Sequence, residues 1–228
     1  MKNKLAKVLR IVTIVLLSIT AAWTVLSGVG TTCVAFGAEK YESMAAIVPY
    51  KGLYQAFVFL TLAVGAAAIA ATIAFARGKR WAFGGLLGIL AAGIVVGGVH
   101  MYYSNMLRGS SAPANLRVYL SVLSIAALLV LRIPGIWKAL DFGAGKPGSV
   151  SNLPGAAAMI AGGITALSAP WWATPTHVLD GTNWAHFIDG PLMGVGAALI
   201  LIGLGMLAWP VLAARVRTPQ ALERKRSA

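Results

Sequence analysis

The chain has three histidines, and their placement points most directly to chemistry. His100 stands near the end of a long apolar run, while His177 and His186 lie in or beside a polar stretch that also holds Asp180 and Asp189. Imidazole and carboxylate together make ligand sets for zinc, copper or iron, and His177-x-x-Asp180 and His186-x-x-Asp189 repeat one local pairing. One expectation is therefore a metal, haem or small-ligand site built from His100, His177, His186, Asp180 and Asp189. In the haem version His100 and one loop histidine are the axial ligands; the residues do not specify the cofactor. The competing reading is structural. Asp180-Gly181 and Asp189-Gly190-Pro191 are turn signals, and Asp189 is placed to cap a helix.

Other motifs are weaker. Gly143-Ala144-Gly145-Lys146-Pro147-Gly148-Ser149 resembles a phosphate loop, but Pro147 stands where Ser or Thr must follow the lysine and no strand precedes it. Cys33, the single cysteine, lies in an apolar run with no histidine near it in sequence, which argues against a catalytic thiol. No nucleophile is paired with a base, so an enzyme is the less favoured class.

The elements that must hold these residues follow from composition. Of 228 residues 58% are hydrophobic and 11% charged, with mean hydropathy +0.79. Soluble chains carry about 25% charged residues, so a soluble domain is excluded, and one cysteine excludes a disulfide scaffold. The excess of 19 Lys and Arg over 6 acids would suggest nucleic acid in a soluble protein, but its distribution indicates a membrane instead.

Six apolar segments are read as spans: residues 11–36, 53–76, 81–103, 118–131, 153–172 and 191–214. Five of them have the 20 or more residues that a helix needs to cross a bilayer, the fourth has 14, and none alternates with the period of a barrel strand. Alternate connections hold 15 of the 19 Lys and Arg, which places both termini in the cytoplasm. The tyrosines fall at or beyond the outer span ends, where amphipathic rings prefer to lie. The first apolar run is about twice as long as a secretory signal core and is read as a retained span.

The fold expected is an all-α integral membrane protein of six transmembrane helices, a four-helix bundle plus a two-helix hairpin. Its parts are a four-span unit at 1–137, a Gly/Pro linker at 138–152, a hairpin at 153–214 and a basic cytoplasmic tail at 215–228. Gly84-x-x-x-Gly88 and Gly93-x-x-x-Gly97 suggest a packing seam and make the third span the central helix, with Gly65 of the second facing lipid. Arg117 is assigned to an outer loop, so no charged residue lies within a span body, and hydroxyls such as Thr13, Ser18 and Ser121 bond to their own helix. Because intramembrane charge marks ion and proton paths, its absence favours a non-catalytic anchor or interaction subunit. A carrier of a neutral or lipid-like solute ranks third, after the His/Asp site. The partners expected are membrane lipid and a membrane protein or second copy, without nucleic acid, in a bacterial cytoplasmic membrane.

Overall fold

The apolar runs form helices: α1 Lys2–Gly37, α2 Lys51–Ala76, α3 Trp81–Arg108, α4 Ala114–Leu131, α5 Pro134–Leu140, α6 Leu153–Ala173 and α7 His186–Arg226. The computed structural model describes residues 2–111, 114–140, 153–173, 178–179, 182–183 and 186–226. Among these, the one extended pairing is a two-residue antiparallel ladder of β1 (Val178–Leu179) with β2 (Thr182–Asn183), so the chain is essentially all-helical. Five segments, in α1, α2, α3, α4 and α7, are long and apolar enough to cross a membrane; the apolar stretch of α6, Gly155–Ser168, is shorter. Phe59, Val95, Leu123 and Leu201 are each more than half exposed, an outer surface suited to hydrocarbon and not to water.

Glycines close two of the turns. Gly78 takes φ +75°, so its N–H reaches Phe75 O and the Lys79 N–H reaches Ala74 O, both at 3.0 Å. Arg10 of α1 then donates to Ala76 O at 3.0 Å, satisfying another carbonyl at the end of α2. At the far end of α3, Gly109 adopts φ +66° and bonds Asn105 O at 2.8 Å. The 38–50 connection forms 3-10 turns that bury Ala38, Met44 and Ile47. An exposed ion pair between Glu39 and Lys51 closes it.

The central helix is α1, not α3 as expected. It packs against α2, α4, α5 and α6, whereas α3 rests on α2 and α4. The reason is legible in α1 itself: Thr13, Leu17, Thr20, Thr24, Ser27 and Thr31 are all buried and recur at steps of four and three. That is the seven-residue repeat of a helix seam, made here, apart from Leu17, of serine and threonine side chains that permit close approach. Of the four glycines expected to form a seam on α3, Gly93 lies near Val64 and Gly97 lies against Val118 and Arg117, while Gly84 and Gly88 meet nothing within 4 Å. Gly65, expected to face lipid, instead faces α1: a Cβ there would stand 2.7 Å from Val25 Cγ2 and 3.1 Å from its backbone nitrogen.

A second seam joins α6 to α7. Ala156 and Gly163 on one helix oppose Gly203 and Gly196 on the other; a methyl on Gly163 would lie 2.6 Å from Gly196 O, and one on Gly203 2.8 Å from Ala156 O. Small residues seven apart on both helices hold the two backbones in contact.

The interior has an unusual division. One apolar cluster gathers Ile14, Leu17, Phe75, Leu86, Leu128 and Leu131, and another gathers Val34, Ile47, Tyr54, Phe57 and Val58. Between them, where α1 to α4 meet, lies a layer of polar side chains.

Candidate functional site

Arg117 occupies the centre of that layer. The sequence reading ended a loop at Arg117, but α4 begins three residues earlier and the apolar segment Ala114–Leu131 includes it. Arg117 thus stands in the first turn of α4, one residue outside the expected span 118–131 and inside the longer apolar helix. Its side chain is 3% exposed. Since Ala114, Ser121, Ser124, Leu128 and Leu131 are all buried, Arg117 lies on the buried face of this helix, which recurs at steps of three, four, three, four and three.

The guanidinium has donors only, and its partners are neutral. Nη1 donates to Thr61 Oγ1 of α2. Nη2 donates to His100 Nδ1 of α3 at 3.1 Å, which places the imidazole proton on Nε2. Nε has no hydrogen-bond partner. Among the described residues no carboxylate bonds this cation. Thr61 is ten residues into α2, so the group sits roughly 15 Å from that helix's start at 1.5 Å per residue.

Aromatic rings hold His100 in place. It stacks on Phe57 with centroids 4.7 Å apart and planes 17° apart, and meets the edge of Tyr54 at 5.4 Å. The Tyr54 hydroxyl shares a hydrogen bond with Ser104 at 3.1 Å. On the other side, Thr20 and Ser124 share one at 2.8 Å between α1 and α4. Thr13, Ser18 and Ser121 donate to carbonyls of their own helices, as their types suggest. The polar layer thus runs from the middle of α1 to the Tyr54–Ser104 pair.

A small cleft opens in this layer, lined by Thr24, Thr61, Gly93, Arg117 and Ser121 between Val64 and Val96. Its cavity volume is about 10 Å³, about the space that one water molecule needs.

The residues of the expected His/Asp site fall differently. His100 is buried with Arg117 on its Nδ1, a positive neighbour that opposes a metal cation at that nitrogen. His186 opens α7, with only its backbone described, and Asp189 lies in the first turn of the same helix. His177 and Asp180 lie outside the described residues. Among the described residues no three of His, Cys, Asp and Glu come together. Against protein-family models, curated proteins and solved structures, the chain shows no significant similarity to any.

Proposed function

We propose that the protein is a six-span membrane protein with both termini cytoplasmic, in which α1 to α4 form a solute-binding bundle of carrier type and α6 and α7 a hairpin against it. The observation that supports this is the buried Arg117 with neutral partners. Arg10 ends on a backbone carbonyl and Arg132 on a ring, 4.6 Å over Trp137. Arg117 ends on a threonine hydroxyl and an imidazole, and a buried charge without a counter-charge costs several kcal/mol. Ionisable groups inside a membrane protein mark solute and ion paths. The second reading is an anchor or interaction subunit, whose partners would be lipid, another membrane protein or a second copy.

Two measurements test the reading. In vesicles containing the purified protein, influx of small anions should exceed that of protein-free vesicles, and Arg117→Gln should lower it at least tenfold; influx equal to the protein-free level would refute a carrier. For the topology, cysteines placed singly at Ser149 and Ser227 in a Cys33→Ala background should react with an impermeant thiol reagent from the same side. Labelling from opposite sides would remove the six-span arrangement.

A further inference from the structure

We infer that the basic end of the bundle, where the start of α1, the α2–α3 turn and the α4–α5 junction meet, is a binding site for the headgroup phosphate of an anionic phospholipid. The inference is independent of what the Arg117 layer does. Three contacts bring the segments together. Arg10 of α1 donates to Ala76 O at the end of α2. Ala6, Ala76, Ala82, Leu131 and Leu140 are buried in one apolar cluster, and Phe83 of α3 meets Trp137 of α5 edge to face with centroids 5.0 Å apart. Residues 2–10, 77–80 and 132–140 carry nine Lys and Arg and no Asp or Glu; Asp141 lies outside the described residues. Positive charge of this density, at the level where a span meets the headgroups, calls for an anion.

Arg132 supplies the anchor. Its guanidinium lies 4.6 Å over Trp137 and 5.8 Å from the centre of the Phe83 ring, so aromatic rings hold the planar cation. Its N–H donors bond no acceptor among the described residues, which leaves the fork that matches phosphate oxygens open to a ligand. Phe83 stands in the first turn of α3, directly after the charged turn in which Lys79 is exposed, and this gives the second positive charge. The neighbours of both cations favour a lipid over a free phosphate. Trp81 and Ile133 are each more than half exposed, one at the start of α3 and the other next to Arg132 in sequence, so apolar surface for the acyl chains continues from the charges.

The test uses the full-length protein in nonionic detergent. Short-chain phosphatidylglycerol is titrated in while the melting temperature is followed, with phosphatidylcholine of the same chain length and glycerol phosphate as comparisons. A saturable rise is expected with phosphatidylglycerol alone, by preferential binding to the folded state. Arg132→Gln and Lys79→Gln should each raise the half-saturating concentration about fivefold, the worth of one cation near an anionic headgroup. Lys40→Gln removes the same charge from the 38–50 connection and should leave the midpoint unchanged. Trp137→Leu keeps every charge but removes the ring beneath Arg132, and should also weaken binding. No rise, or an equal rise with phosphatidylcholine, would overturn the site; an equal rise with glycerol phosphate would show a free-phosphate site and overturn the lipid. Equal losses in Arg132→Gln and Lys40→Gln would reduce the effect to net charge and overturn it as well. If Arg132→Gln does not fold, Lys79→Gln set against Lys40→Gln makes the same decision.

Discussion

Gly163→Leu is expected to detach α6 from α7 and prevent the protein from accumulating in folded form, and Gly163→Ala is expected to fold with a clearly lower melting temperature. The difference is one of space. A methyl at this position already meets Gly196 O and Ile200 Cγ1 at 2.6 Å and the Ile200 backbone nitrogen at 3.0 Å. Two of these neighbours are main chain and cannot rotate away, so the helices must separate. Overpacking of this kind costs about 1–3 kcal/mol, and in a chain of this length each kcal/mol moves the melting temperature by about 2–4 °C. Gly88→Leu is the control, because nothing lies within 4 Å of that position. Melting curves for the three variants decide the matter: if Gly163→Leu and Gly88→Leu melt together, the α6–α7 contact is not the seam described.

His100→Leu and Arg117→Met are expected to move stability in opposite directions. His100→Leu removes the acceptor of Arg117 Nη2, 3.1 Å away, in a layer that water reaches poorly, and a charged donor left unsatisfied there costs about 3–5 kcal/mol. Arg117→Met keeps the volume and removes the charge, which is commonly neutral or stabilising for buried ionic groups. The double variant should therefore recover most of what His100→Leu loses, a coupling that a double-mutant cycle measures directly. Should Arg117→Met prove strongly destabilising while His100→Leu is neutral, Arg117 is a structural residue and the functional reading falls. Stability gained together with lost anion influx is the pattern expected of a strained functional site.

Much of the helical layout is legible in the sequence because length and apolarity suffice for it. The bounds of α2 and α3 on the basic side, Ala76 and Trp81, follow from a charged turn that no helix in hydrocarbon would tolerate. The centre was harder to read. Arg117 follows Gly109, Ser110, Ser111 and Pro113, a turn-rich run, and a charge after such a run reads as loop. The contrary signal lies downstream, where Arg117 is in phase with Ser121, Ser124, Leu128 and Leu131. Central position was misread for a related reason. Glycine motifs are conspicuous in α3, but a glycine shows only that approach is possible, and Gly84 and Gly88 are approached by nothing. The hydroxyl repeat of α1 states the buried face more directly, because buried threonine and serine need partners that only a neighbouring turn or helix supplies. The cleft itself could not be read at all, since it depends on which helices stand side by side.

The Thr20–Ser124 bond spans 104 positions of the chain, and this bears on how the protein is made. A ribosome releases α1 long before α4, so the hydroxyl-bearing face of α1 enters the membrane with its eventual neighbour still unsynthesised. In that interval Thr20 has its own Leu16 carbonyl, 2.8 Å away in the finished fold, and Thr13, Thr24 and Thr31 have Leu9, Thr20 and Ser27. Thr13, Thr20, Thr24 and Thr31 are thus provided for inside their own helix at the moment of insertion. Arg117 has no such local refuge. It arrives with α4, after α2 and α3 have brought Thr61 and His100 into place, so the charged residue is translated only after both of its recorded partners.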